Sequence, residues 1–436
     1  MASTTGSIEA VSLTGRTPRR VFAIWIATLA LIGVIGVTAI LAIGGEPDPA
    51  ALRGVAPLLG GEWRFHLGDD PRWAGTDVDD SHWETVNLDA PASSHDGDVG
   101  LPNYVGGWMV HGHPGYQGYA WYRRSVTVPA GTRAWDVLGP TLVEDGYELY
   151  WNGKRLGGSG RLGASPRVVG THPLIFALPA DAAGTTGVLA IRAFMQPGND
   201  AAADSGGIHV APTLAPRPES RELYHVEWWR TIAGYIVELV EPLAMFAVIG
   251  LALAIRRRSS HPRFIAWVCI ALALSAVKRL DNAIVSWTDL MSLPTYAWLA
   301  KVVWTPLSLG AWTLAWNRWT TRSRAIDAAT LLLTLVGIVS GILQSATMTH
   351  AFRLGLLALL LLIAVRIIRT GTLRNLATAT LFTILISQFS GELGSLGVPT
   401  IWFPFGIGVT LTQYVYAIAI PMLAWLIVRT LDTKET

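Results

Sequence analysis

Charged side chains set inside long apolar runs are the residues of this sequence with the most chemistry to offer. Glu238 and Glu241 stand three apart in the run 231–255, Lys278, Arg279 and Asp281 lie in 264–285, and Lys301 lies in 296–316. Arg353 opens 351–365, and Glu392 lies in 375–396. Charge held away from water is costly, so such groups face a protein interior or a water-filled cavity and pair with one another. A spacing of three puts Glu238 and Glu241 on neighbouring faces of one helix. Glu238, Glu241, Lys278, Arg279, Asp281, Lys301 and Glu392 are therefore grouped as a candidate intramembrane polar network. Two readings stay open for it: structural ion pairs with Lys301 snorkelling to the interface, or a functional cavity. Short carboxylates at mid-depth cannot snorkel. Glu238, Glu241 or His350 could serve an intramembrane enzyme as acid or base, yet no serine elbow or H-E-x-x-H motif accompanies them. No catalytic residue is assigned, and no enzyme activity is expected.

A second set lies between Ser93 and Gly118, a long connection carrying His95, Asp96, Asp98, Asn103, Tyr104, Trp108, His111, His113 and Tyr116 among glycines. Carbohydrate sites combine aromatic faces with short polar groups, and long loops more often carry function. His95, Asp96, Asn103, Tyr104, Trp108, His111, His113 and Tyr116 are the candidate ligand-binding residues. The alternative is that Trp108 and Tyr116 cover an open edge of the domain. His111-Gly-His113 presents two imidazoles to one side, as a metal pair would, but the further ligands and their supporting partners are not evident. No metal or other cofactor is expected.

The elements that must position these groups follow from composition. Hydrophobic residues make up 51% of the 436 and charged residues 15%, with a mean hydropathy of +0.39, so part of the solvent is lipid. Nineteen tryptophans suit a protein with much interface. The net charge of +2 is small and gives no basic surface for nucleic acid. Cys269, the single cysteine, lies in an apolar run, so the soluble part is held by its core rather than by disulfides.

Eight stretches are long and apolar enough to cross a bilayer. The first, 21–44, follows Arg16, Arg19 and Arg20 and reads as an uncleaved anchor. Seven more follow at 231–255, 264–285, 296–316, 325–345, 351–365, 375–396 and 406–428. Positive residues mark alternate connections: Arg256, Arg257, Arg258 and Arg263, then Arg318, Arg322 and Arg324, then Arg366, Arg369 and Arg374, then Arg429 and Lys434. The loops 288–294, 346–350 and 397–404 contain no lysine or arginine. Because short cytoplasmic loops collect positive charge, both termini are expected inside the cell and 45–228 outside. The domains are thus 1–20 as a cytoplasmic tail, 21–44 as anchor, 45–228 as an extracytoplasmic domain, 229–428 as a seven-helix membrane domain and 429–436 as a tail. Pro242, Pro306 and Pro421 predict kinks in their helices.

Between Pro47 and His225 the pattern becomes that of a β-sandwich, with short Trp-, Tyr- and Val-rich runs between Gly, Pro, Asp and Asn. Residues 121–128 alternate as a half-buried strand, with Arg123, Ser125 and Thr127 on the outer side. The run Tyr147 to Trp151 enters Asn152-Gly153, the signature of a tight hairpin. Trp121, Tyr122 and Trp151 read as core. The series GEWRFHLGDDPRW from Gly61, DDSHWETVNLDAP from Asp79, GYAWYRRSVTVP from Gly118, DGYELYWNGKRLGG from Asp145 and VLAIRAF from Val188 resembles the N-terminal jelly-roll of family-two glycoside hydrolases, a galactose-binding-like domain. The resemblance implies an all-β jelly-roll sandwich and sugar recognition. It does not imply hydrolysis, since those enzymes place their two glutamates in a separate barrel.

A jelly-roll before seven helices also resembles, by architecture, the bacterial seven-transmembrane receptors with diverse intracellular signalling modules. Those receptors continue into a kinase, cyclase or phosphatase, whereas about eight residues follow Val428 here. The expectation is a multi-pass membrane sensor that binds a carbohydrate or envelope ligand and passes the signal to a separate cytoplasmic or membrane partner. A non-catalytic scaffold or transport accessory is the alternative, with an intramembrane enzyme behind it.

Overall fold

The computed structural model describes residues 57–97, 100–163, 165–170, 172–197, 202–370, 373–403 and 408–432. The expected anchor at 21–44 and Asp98 lie outside these residues. The chain divides into an antiparallel β part and a helical part.

Six strands form one sheet in the order β2-β1-β3-β8-β5-β6: β1 (Glu62–Leu67), β2 (Glu84–Asn87), β3 (Gly118–Thr127), β5 (Gly146–Trp151), β6 (Lys154–Ser159) and β8 (Thr186–Met195). The second sheet is β7-β4-β9, from β4 (Trp135–Leu138), β7 (Ile175–Ala177) and β9 (Thr213–Pro216). Trp63, Phe65, Tyr122, Tyr147, Leu149, Leu189 and Ile191 fill the space between them with Val137 and Leu214. The alternation seen in the sequence puts these side chains on one face because strand residues point to opposite faces in turn. Asn152 and Gly153 take φ of 47° and 81° between β5 and β6, the positive pair that a two-residue hairpin requires.

One strand departs from expectation. β3 is buried on both faces at its centre, because Trp73 and Trp83 lie over its outer face beside Trp121. Arg123, expected outside, is buried there; it donates to Asp80 at 2.9 Å and to the carbonyl oxygen of Gly75 at 2.9 Å. A guanidinium is tolerated under this cover because its donors are satisfied.

β9 runs without a break into α1 (Arg217–Tyr235), and α2 (Val237–Ile255) and α3 (Pro262–Trp287) follow. The first predicted span is therefore divided at Ile236. Next come α4 (Leu293–Trp298), a π-helical turn (Leu299–Trp304) and α5 (Thr305–Trp316), which together occupy the third predicted span. Pro306 has no N–H to offer, and the ladder before it widens into the π turn, with Thr305 N–H bonded to the carbonyl of Ala300. α6 (Arg324–Leu343) and α7 (Ala346–Thr370) are joined by two residues, so the predicted loop 346–350 is helical. α8 (Arg374–Gln388) and α9 (Ser390–Ser395) are separated at Phe389. A two-residue ribbon, β10 (Ile401–Trp402) with β11 (Val409–Thr410), precedes α10 (Leu411–Asp432).

Among the described residues four helical stretches, Val237–Ile255, Arg324–Leu343, Ala346–Arg369 and Leu411–Leu431, are long and apolar enough to cross a membrane. In the second of these only 28% of the apolar window is buried within the protein, and Leu331, Leu332 and Leu335 are exposed. Leucine-covered faces of that extent are compatible with a lipid solvent.

The basic connections meet at one end of the helices. Ser260 N–H donates to the carbonyl of Thr430 at 3.1 Å, Arg366 to that of Thr321 at 2.8 Å, and His261 stacks on Trp319. The other end carries the sandwich. Arg167 donates to the carbonyl of Asp289 at 2.9 Å, Leu293 N–H to that of Val168 at 3.1 Å, and the His95 ring lies 4.5 Å from that of Phe403.

Candidate functional site

The residues between Ser93 and Gly118 do not converge on one surface. Trp108 is buried in the sandwich core, its indole N–H donating to the carbonyl of Tyr116 at 3.0 Å. Tyr116 turns its hydroxyl to the carbonyl of Tyr119 at 2.7 Å. Asp96 is buried, and its carboxylate accepts from the Leu101 N–H. Asn103 takes a φ of 65°, and its N–H bonds to Ser94. Tyr104 stacks flat on His209 and donates to Asp204 at 2.9 Å. His113 packs on Phe65 and meets Glu84 at 2.8 Å, while His111 and His95 are exposed. Among the described residues no three His, Cys, Asp or Glu side chains are grouped to hold a metal ion.

Beside Tyr104, Glu144 accepts from His209 and from the Gly206 N–H at 3.0 Å. Burial pushes this carboxyl up, but the hydrogen bonds from His209 and Gly206 outweigh it and hold the group below the usual carboxylate range.

The charges in the helices do converge. Arg279 on α3 donates to Glu238 at 2.9 Å and lies 3.2 Å from Glu241, both on α2. Gln413 on α10 donates to the same Glu238 oxygen at 2.8 Å. The Arg279 guanidinium also lies 5.9 Å from the centre of the Tyr416 ring. Tyr416 accepts from Gln388 at 2.6 Å and reaches Ser275, whose hydroxyl meets Ser308 at 3.1 Å. Nearer the sandwich, Arg353 on α7 grips Glu392 on α9, with one bond of 2.7 Å. Lys278 donates to the Thr305 hydroxyl at 3.2 Å. Among the described residues it has no carboxylate within 4 Å. Asp281 takes the indole N–H of Trp304 at 2.6 Å instead of a cation, and Lys301 is exposed on the π turn.

Several of these groups line a cavity of about 410 Å³. Lys278, Arg279 and Arg353 line it, together with hydroxyls from α3, α5, α8, α9 and α10, the ribbon residues Ile401 and Thr410, and Thr400 just before the ribbon. Glu238, Glu241 and Glu392 stand behind the guanidinium groups and do not reach its wall. Ser275, Gln388, Tyr416 and Gln413 were not among the residues singled out from the sequence. The signal for Ser275 is its place three and four residues before Lys278 and Arg279, on the same helical face.

The sandwich and helices are tied at α1. Asp136 on β4 receives Arg217 at 3.1 Å and the Ser220 hydroxyl at 2.8 Å, and Thr141 donates to Glu227 one helical stretch further on. Burial pushes the Glu227 carboxyl up to about 7, with the Thr141 hydrogen bond and the Arg230 charge pulling the other way. A carboxyl whose value is raised on folding contributes stability below its unfolded value and loses it as pH rises through the folded one. The thermal midpoint of the full chain should therefore fall between pH 4.5 and about 7, and Glu227→Gln should flatten that part of the profile. An unchanged slope in the variant would assign the pH dependence elsewhere.

No protein-family model matches the chain, and no curated relative does. Solved structures similar to part of it include β-glucuronidases. That of Bacteroides uniformis is 21% identical with a TM-score of 0.27, covering 36% of this chain and 17% of its own. The Bifidobacterium dentium enzyme complexed with coumarin-3-O-glucuronide is 15% identical with a TM-score of 0.24, covering 32% and 20%. The Faecalibacterium prausnitzii enzyme is 16% identical with a TM-score of 0.24, covering 37% and 32%. This chain spans less than a third of the length of each.

Proposed function

We propose that this is a receptor-like membrane protein. In this reading the seven apolar stretches between 231 and 428 all cross the bilayer, the galactose-binding-like sandwich lies outside the cytoplasm, and the basic end faces inward. A carbohydrate or envelope ligand on the sandwich shifts the arrangement of the helices, and a partner at the basic end reads it. The supporting observation is mechanical: β9 continues directly into α1, and Arg217, Ser220 and Glu227 fasten that helix to β4 and Thr141. A displacement of the second sheet thus reaches α2 without crossing a slack linker. A ligand shifts such an equilibrium only by its difference in affinity for the two states.

The test uses the full chain in nanodiscs, screened against sugars, sugar acids and peptidoglycan fragments by thermal shift, then by hydrogen exchange. The expected result is a stabilising compound that also changes exchange across 217–255. Protection confined to the sandwich, or no stabilising compound in the panel, would remove the receptor reading and favour a scaffold.

A further inference from the structure

The cavity between the helices has an unbalanced wall. Among the described residues three cations line it and no carboxylate does, because the three acidic partners stand behind Arg279 and Arg353. We propose that it binds a small anionic oxygen group, a carboxylate or phosphate, with Lys278 as the principal counter-charge. Arg279 and Arg353 are already engaged by Glu238, Glu241 and Glu392, whereas among the described residues Lys278 meets the Thr305 hydroxyl and no carboxylate. An ammonium in that position, in a medium poor in water, is strongly favoured by an anion beside it.

The remaining wall suits the same guest. The Ser308 and Ser390 hydroxyls line the space and are bonded to other hydroxyls, those of Ser275 at 3.1 Å and Thr412 at 2.9 Å, so each can turn its hydrogen toward an anionic oxygen while still accepting from its neighbour. The volume of about 410 Å³ is many times that of one water and lies in the range of small-molecule sites. Thr400, Ile401 and Thr410 form part of the wall at the ribbon, on the side where Phe403 meets His95 of the sandwich. A phosphate could come free from solution or on a lipid headgroup. This site does not depend on any ligand of the sandwich.

The experiment takes the full chain in phosphatidylcholine nanodiscs and follows thermal unfolding by tryptophan fluorescence. One arm titrates inorganic phosphate and acetate against chloride at equal ionic strength. A second arm replaces part of the phosphatidylcholine with phosphatidylglycerol. Because phosphate stabilises proteins generally by exclusion, the quantity read is the difference between wild type and Lys278→Gln. The expected result is a saturable rise in midpoint for wild type in at least one arm, weakened about tenfold or more by Lys278→Gln and retained by Lys278→Arg. A response to the salts identifies a free anion, and one to phosphatidylglycerol alone identifies a headgroup. An equal response in Lys278→Gln, or none in wild type in either arm, overturns the proposal. If Lys278→Gln does not fold, Ser390→Ala, which leaves every charge in place, takes over: a several-fold weaker response supports the site and an unchanged one overturns it.

Discussion

Replacing Arg279 by leucine is expected to destabilise the full chain by about 3–5 kcal/mol, the usual cost of removing one partner from a buried ion pair. Glu238 and Glu241 have side chains that are 4% and 6% exposed, and Arg279 is the only cation of the described residues paired to either. Among the described residues Glu238 Oε2 and both oxygens of Glu241 accept no hydrogen bond, so once the guanidinium is gone the Gln413 amide on Glu238 Oε1 is left to offset two carboxylates. The measurement is denaturant or thermal unfolding in nanodiscs. Arg279→Lys should recover only part of the loss, since an ammonium cannot span the two carboxylates as a planar fork does. The triple variant with Glu238→Gln and Glu241→Gln should recover most of it. Replacing every charged member of a buried set is often nearly neutral, whereas stranding one charge is not. A triple variant no more stable than Arg279→Leu would mean that packing rather than charge sets the loss.

The pairing of Arg279 with α2 was within reach of the sequence, because opposite charges at similar depth in adjacent apolar runs have few alternatives to each other. The sandwich strands were legible for a similar reason: a period of two in residues 121–128 and the Asn152-Gly153 turn have one structural meaning each. Where the meaning was double, the sequence left it undecided. Aromatic and polar residues on a glycine-rich connection fit a sugar platform or a core plug, and only the path of the chain separates them. The π turn before Pro306 and the break at Phe389 were illegible because apolar composition reports that a segment avoids water, not how its hydrogen bonds are arranged. The cavity hydroxyls were hidden too. Serine and threonine in apolar helices commonly bond their own preceding turn, as Thr313 does to Leu309, and composition does not distinguish these from Ser275 and Ser308, which face each other.

Trp108→Ala should cost about 3–5 kcal/mol, as large-to-small changes at buried aromatics do. The indole is 1% exposed and packs on Phe65 and Tyr116 at ring separations of 6.3 and 5.8 Å. The segment over it is shaped to its surface: Gly206 and Gly207 take φ of 102° and 80°, and a Cβ on Gly206 would lie 2.3 Å from the indole nitrogen. The strand edges cannot collapse into the vacated space, since Tyr122 and Phe65 are themselves fixed in the sheet, and the lost contacts would not be regained. Gly207→Ala should be damaging in the same region, both for its positive φ and because the added carbon meets the Tyr122 hydroxyl at 2.1 Å. The pair of measurements also separates two roles for Trp108. A sugar platform predicts near-normal unfolding with affinity lost, whereas a core residue predicts a lower unfolding midpoint, with Trp108→Phe intermediate. The geometry of Trp108 leads to the second outcome. A variant that unfolds like the wild type while losing a ligand found in the screen would return this residue to the binding surface.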